Sequence, residues 1–295
     1  MKFSIIVPSY NQAPYLEATI RSIIDQAGPK TEIIVNDGGS RDGSVDILRR
    51  YNDRLTWTSA RDHGQTDAIN KGLHACTGDI VAYLNSDDIY FPNALATVAA
   101  YFAEHPECLF LYGTAHHLHA DGSYMEDYAT EKWNYDRLFE TCYLCQPAVF
   151  WRRELHAQFG YFDERLHFGM DYEFWLRVGG QIPFHYLTGA PLAGSRLHAD
   201  TKTLSQRVPA HREILKIIRQ YAKTPRQTYT WLRNLASLIA RDAGLHPSAD
   251  PKEYKLHVHA YVTNALTIAR ELRIELDQSI LQEFENLVKP LPVLL

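Results

Sequence analysis

Residues 62–88 read DHGQTDAINKGLHACTGDIVAYLNSDD, and this stretch decides the fold. Its first half predicts a helix over 65–76 that stops near Gly78. Ile80-Val81-Ala82-Tyr83-Leu84 then runs apolar without alternation, as a strand covered on both faces does. That strand empties into a polar cluster, Asn85-Ser86-Asp87-Asp88. The same unit recurs towards the N-terminus. Residues 3–7 predict a strand ending at Pro8, and Tyr15, Ile20, Ile23 and Ile24 predict a helix closed by Gly28-Pro29. Glu32-Ile33-Ile34-Val35 is a second strand, Val45 to Leu48 a second helix, and Leu55 to Thr58 a third strand. Strand and helix alternate about every 25 residues, which predicts an α/β architecture with a mostly parallel sheet flanked by helices. Such sheets bind ligands beyond the C-terminal ends of their strands. The polar clusters Pro8 to Asn11, Asn36 to Ser40 and Asn85 to Asp88 all fall there.

The 295 residues are 45% hydrophobic and 22% charged, enough for a sizeable core and too apolar for disorder. No apolar run approaches the roughly 18 residues that cross a bilayer. Met1 to Val7 meets Pro8 before a signal-peptide core develops, so the expectation is a cytoplasmic protein. Four cysteines are too few for a disulfide scaffold, and Cys142-x-x-Cys145 lacks a second pair for metal, which predicts free buried thiols. A net charge of -5 argues against a nucleic-acid partner. From residue 207 glycine becomes rare and helical patterns run over 209–222, 225–243 and 252–288. Residues 207–242 carry eight Lys/Arg against two acids. The expected division is an α/β domain over 1–206 and a helical C-terminal appendage over 207–295. Ile214, Leu215, Ile217, Ile218 and Tyr221 would pack on the first domain or on a second copy, or the basic stretch would rest on an anionic membrane face.

Asp87 and Asp88 repel each other unless a cation or donor groups neutralise them, and a hard divalent cation suits such oxygens. The first strand is followed by Pro-Ser-Tyr-Asn rather than a Gly-rich turn, and no Walker A sequence occurs, which excludes the dinucleotide and P-loop fingerprints. Asp67, Asn70 and Lys71 fall at spacings of three and four on a helix. Lys71 can neutralise phosphate or pair with Asp67. His116, His117 and His119 read as a polar strand or loop rather than as a metal cluster.

IIVPSYN (5–11), EIIVNDGGSRDGS (32–44), the 62–88 stretch, QPAVFWRREL (146–155) and FGYFDERLHFGMDYEFWLR (159–177) together resemble the family-2 glycosyltransferases with the GT-A fold. The resemblance covers about the first 200 residues. It implies a Rossmann-like catalytic domain with a nucleotide-sugar half over about 1–90 and an acceptor half over about 91–206. It also implies an inverting transferase that moves a sugar from a UDP-linked donor to a hydroxyl of a saccharide or lipid-linked acceptor, assisted by Mn²⁺ or Mg²⁺, in polysaccharide assembly. Pro8, Ser9, Tyr10 and Asn11 would lie under the nucleotide base, with Asp37 at the base or ribose and Asp62 sharing that task. Asp67 and Lys71 would serve the donor, and Asp87 the ribose or a metal-bound water. Asp88 and His198 would hold the metal, with Arg196 and Lys202 adding charge against phosphate. Asp171, at a helix N-terminus that suits a carboxylate, would be the general base. Gln146 and Trp175 would face the acceptor. The chain departs from the commoner family pattern at Asn85, where Asp is usual, at Met170, where Glu is usual, and at Gly38, which follows a single acid. Two rivals stand beside this reading. One is a sugar-1-phosphate nucleotidyltransferase, whose Gly-rich basic loop the chain lacks; the other is a non-catalytic carbohydrate- or nucleotide-sugar-binding module.

Overall fold

The structure is a computed structural model that describes residues 1–26, 28–199, 201–248 and 250–288. The last seven positions of the expected helical region lie outside the described residues. The chain divides into two units, Met1–Tyr135 with Cys142–Thr201, and Asp136–Thr141 with Lys202–Leu295. This division falls five residues before the expected boundary at 206/207 and assigns a short internal segment to the second unit.

The first unit opens with the predicted alternation: β1 (Lys2–Ser9), α1 (Ala13–Ile24), β2 (Lys30–Asp37), α2 (Ser44–Arg50), β3 (Thr56–Ser59), α3 (Gln65–Ala75) and β4 (Ile80–Tyr83). It continues through β5 (Ile89–Tyr90), α4 (Ala94–Glu104), β6 (Phe110–Gly113), β7 (Ala115–Leu118), β8 (Tyr124–Asp127), β9 (Val149–Arg152), α5 (Leu155–Phe159), α6 (Met170–Gly179), β10 (His185–Leu187) and β11 (Ala193–Arg196). Seven strands form one sheet in the order β10-β6-β9-β4-β1-β2-β3. All neighbours are parallel except β9, which runs antiparallel to both β4 and β6. A smaller sheet has the order β5-β11-β7-β8.

The central strands are apolar on both faces because helices cover both. Phe3, Ile5, Ile6 and Val7 of β1 are fully buried. Leu16, Ile20 and Ile23 of α1 point inward at helical spacing. α3 lies against β1 at Gly72, where an added Cβ would stand 2.5 Å from Ile6 Cγ2, so glycine permits the close approach. Register then aligns the strand ends. Pro8 pairs with Asn36, Ser9 with Asp37, and Asp37 with Ser59. The polar side chains of three strands therefore finish on one shelf, beside the turn that leaves β4.

In the second unit the helices are α7 (Lys202–Ser205), α8 (Arg207–Tyr221), α9 (Pro225–Asp242), α10 (Pro251–Leu272) and α11 (Gln278–Val288). The single helical pattern expected over 252–288 is broken: Arg273 takes φ 52° and caps α10, and α11 starts at Gln278. Thr224 and Gln227 form a capping box on α9. Leu215, Ile217 and Ile218 of α8 are buried, and α8 packs on α9. Arg212 pairs with Glu271 at 2.8 Å and Arg226 with Glu283 at 2.6 Å, so part of the positive charge of this unit is matched internally. Among the described residues no helix is long and apolar enough to cross a membrane.

Candidate active site

At the ends of β1 to β3 the backbone is held by Asp37. Its carboxylate is 2% exposed and accepts from Gly39 N at 3.0 Å, Ser40 N at 2.9 Å and the Ser59 hydroxyl at 2.6 Å. These three bonds fall on Oδ2 and the Ser40 hydroxyl donates to Oδ1, so Asp37 braces the loop that follows β2. Asn11 takes φ 51°, a conformation asparagine tolerates. Its Oδ1 accepts from Arg41 N at 3.0 Å, while Ser40 Oγ accepts from Asn11 N at 2.7 Å. Pro8 and Ser9 are buried in the end of β1, and Gly38 N donates to Ser9 O at 2.8 Å. Tyr10 and Asp62 meet over Gly38. A Cβ there would lie 3.0 Å from Asp62 Oδ2 and 3.2 Å from the Tyr10 ring. Tyr10 is 61% exposed, so an aromatic face and a carboxylate flank bare backbone at an open corner.

The acidic turn divides its two carboxylates. Asp88 is 4% exposed; its Oδ1 accepts from Arg196 N at 2.9 Å and its Oδ2 from Asn85 Nδ2 at 3.2 Å. Burial first and the Asp87 charge second push its pKa well above the ordinary carboxylate value, while the Arg196 N–H and Asn85 amide pull the other way. Asp88 ties the turn to β11 in the interior through these two bonds, and Asp87 is the more exposed carboxylate of the pair. Asp87 faces outward and sits 3.0 Å from His198 Nε2. His198 is packed against the Tyr15 ring at 4.6 Å between centroids, and its Nδ1 is buried without a hydrogen-bond partner. A divalent cation fits this pair: octahedral Mg²⁺ or Mn²⁺ with bonds near 2.1 Å spaces adjacent ligands by about 3 Å. Among the described residues no group of three or more His, Cys, Asp or Glu can hold a metal, so diphosphate oxygens would have to complete the shell. Arg196 is buried, its guanidinium over Tyr15 and bonded to Ala120 O, which turns it away from the phosphate role expected of it.

Side-chain amides brace the same turn. Gln65 Nε2 donates to Asn85 Oδ1 at 2.7 Å, and Asn85 Nδ2 also reaches Gln146 Oε1 at 3.2 Å. Gln146 Nε2 donates to Tyr83 O at 2.8 Å, so this residue, expected at the acceptor, is built into the turn. Asp67 accepts from His63 N at 2.9 Å and from Lys71 Nζ at 2.8 Å; of the two readings of Lys71, the structure holds the ion pair.

Asp171 stands in the first turn of α6, which Gly169 caps, with its Oδ1 accepting from Tyr172 N at 2.7 Å. Tyr83, at the end of β4, connects it to the acidic turn. This phenol is fully buried, and its pKa is raised well above the usual value by burial first, then by the charges of Asp171 and Asp88 and a hydrogen bond to Asp171. Cys142 lies in the field of Asp171, and Cys145 in the fields of both carboxylates. Sequence patterns thus led to both carboxylates and missed two buried groups that lie in their charge fields, Tyr83 and Cys145. Both read as ordinary core positions, and only the strand end on which Tyr83 sits hints otherwise.

Trp175 requires a correction. It is fully buried against Phe110, Trp151 and Phe174, so it is a core aromatic out of reach of an acceptor sugar. Glu173 is buried and paired with Arg177 at 2.7 Å. All four cysteines are free, and Cys142 is the one not fully buried. His116 and His117 lie on β7, His116 2.9 Å from Asp127 of β8.

Comparisons with known proteins agree with this geometry. The profile described as "Glycosyl transferase family 2" matches residues 4–157. A "PGL/p-HBAD biosynthesis glycosyltransferase" of Mycobacterium bovis is 32% identical over 184 residues, 59% of this chain and 68% of the relative. S. aureus TarS 1-349 in complex with UDP-GlcNAc superposes with a TM-score of 0.63 at 17% identity, over 98% of this chain and 91% of that one. The chain spans 49% of the longer TarS chain. Mannosyltransferase PcManGT from Pyrobaculum calidifontis, in complex with GDP-Man and Mn²⁺, superposes with a TM-score of 0.59 at 17% identity, over 97% and 83% of the two chains. With more than half its length matched by the family profile and its sheet in the GT-A arrangement, this chain belongs to glycosyltransferase family 2.

Proposed function

We propose that this glycosyltransferase moves a sugar from a UDP-linked donor to a hydroxyl of a saccharide or lipid-linked acceptor, with inversion, and that Asp171 is the general base. The observation that supports the reading is Tyr83: this buried phenol of β4 is hydrogen-bonded to Asp171 and lies in the charge fields of both Asp171 and Asp88. Tyr10 offers a ring for the base of the nucleotide, Gly38 lets it approach the backbone, and Asp62 accepts from its edge. Asp87 and His198 would hold the cation, which when bound offsets charge on the leaving diphosphate. Asp171 Oδ accepts the proton of the attacking hydroxyl on the side of the sugar away from the diphosphate. The UDP-GlcNAc complex of TarS supports a uridine donor, and the GDP-Man complex of PcManGT makes guanosine the alternative. The relative from Mycobacterium bovis, named for PGL/p-HBAD biosynthesis, supports a biosynthetic sugar transfer of that kind. The basic stretch 207–242 would then offer charge to an anionic membrane face.

Isothermal titration of UDP-GlcNAc and GDP-Man, with and without Mn²⁺, tests the donor site. The expected result is uridine-donor binding that Mn²⁺ strengthens in the unsubstituted protein and not in Asp87→Ala. Equal Mn²⁺ dependence in Asp87→Ala would remove Asp87 from the cation site.

A further inference from the structure

The sequence spacing grouped Asn70 with Asp67 and Lys71, but its side chain is buried and takes other partners. Asn70 is 3% exposed and grips the backbone of the loop that joins α5 to α6. Its Nδ2 donates to Phe162 O at 2.9 Å, and its Oδ1 accepts from Phe162 N at 3.1 Å. The same Nδ2 reaches Glu164 Oε1 at 3.0 Å. One turn earlier, the Thr66 hydroxyl donates to Leu166 O at 3.0 Å. Residues 162, 164 and 166 are thereby stitched to one helix, and five residues beyond Leu166 the chain reaches Asp171.

The helix that does the stitching is itself fixed to the sheet. Asn36 Nδ2 of β2 donates to Ala68 O of α3 at 2.8 Å, and Gly72 lies on Ile6 of β1. Its first residue, Gln65, bonds Asn85 of the acidic turn at 2.7 Å. One rigid element therefore touches both halves of the site: Gln65 on the side of Asp87, Thr66 and Asn70 on the side of Asp171.

We propose that Asn70, assisted by Thr66, is a positioning residue for the base, setting where Asp171 stands relative to the acidic turn by fixing the 160–169 loop to α3. This rests on Asp171 being the base. An amide is required because the site needs one donor and one acceptor on a single flat group. In Asn70→Asp the acceptor survives, the donor to Phe162 O is lost, and a second carboxylate faces Glu164. A displacement of the order of 1 Å at a reacting group can cost about 100-fold in rate.

The test uses the full chain with Mn²⁺ and UDP-GlcNAc, following release of UDP, together with hydrogen exchange of backbone amides and UDP affinity by titration. In Asn70→Asp, turnover should fall at least tenfold, measured well below the melting temperature, with UDP affinity within twofold of the unsubstituted protein. Amide exchange should rise over 162–171 and stay unchanged in β1 and β2. Adding Glu164→Gln to Asn70→Asp restores a donor and removes the repulsion, and should recover part of the rate. Asn70→Ala combined with Asp171→Asn should be no slower than Asp171→Asn alone. Unchanged exchange over 162–171, or unchanged turnover beside an inactive Asp171→Asn, would overturn the proposal and leave the base in place. Near-normal turnover in Asp171→Asn would instead remove the base, and a slow Asn70→Asp would then report some other service of the loop.

Discussion

Glu32→Gln should change how stability depends on pH while leaving catalysis alone. Glu32 lies near the start of β2, at the end of the sheet opposite the site. It accepts from Lys2 Nζ at 2.6 Å, Thr77 Oγ1 at 2.9 Å and Gly78 N at 3.2 Å, and also from the Ser4 hydroxyl. Partial burial raises its pKa, but the bonds from Lys2, Ser4 and Thr77 outweigh that and bring it from 4.5 to about 2. Because the folded value lies below the unfolded one, the stabilisation is present above pH 4.5 and is lost as the pH falls towards 2. A shift of this size corresponds to about 3 kcal/mol at most. Lys2 is 30% exposed, so solvent screening reduces the figure at neutral pH to about 1–2 kcal/mol. At pH 7 the Glu32→Gln variant should therefore melt about 3–6 °C lower. Urea unfolding between pH 7 and pH 3 is the assay. The gap between the two proteins should close as the pH falls, and turnover at 25 °C should match. A gap that stays constant over this range, or a loss of donor binding, would refute the reasoning.

Gly38→Ala would press a methyl against Asp62 and Tyr10 and should weaken UDP binding about tenfold by titration with little change in melting temperature. His198→Ala should abolish the Mn²⁺-dependent part of donor binding, read by titration at matched ionic strength. All four thiols have pKa values raised by burial, Cys108 to about 12, so a disulfide reagent at pH 8 should label the native protein slowly and the urea-unfolded protein at once. A fast-reacting native thiol would contradict the packing around it.

Much of the fold was legible because doubly covered strands write themselves as unbroken apolar runs. Phe3 to Val7, Ile33 to Val35 and Ile80 to Leu84 carry the parallel core and point their polar ends one way. The antiparallel β9 and the four short strands of the second sheet leave no such trace, since strands of two to four residues are specified by partners far along the chain. The break at Arg273 carries neither glycine nor proline, so the helical pattern over 252–288 ran on through it. The site was legible as residue types and less so as orientations. Two adjacent carboxylates do not say which turns inward; here the amide of Arg196, 108 residues away, takes Asp88 and leaves Asp87 to His198. Trp175 sits on the helix that bears Asp171, but the aromatic packing around Phe110 claims it. Asn70 and Gln146 likewise bond to segments that only the folded chain brings near.

The central claim is that a proton-accepting carboxylate on α6 and a donor-binding turn after β4 work on one sugar. Asp171→Asn preserves shape and removes the base, so the decisive measurement is its transfer rate beside its donor affinity. Donor binding within twofold of normal, with turnover lower by about 100- to 10,000-fold, is the predicted result. Turnover within a few-fold of the unsubstituted protein, with the donor bound as before, would contradict it.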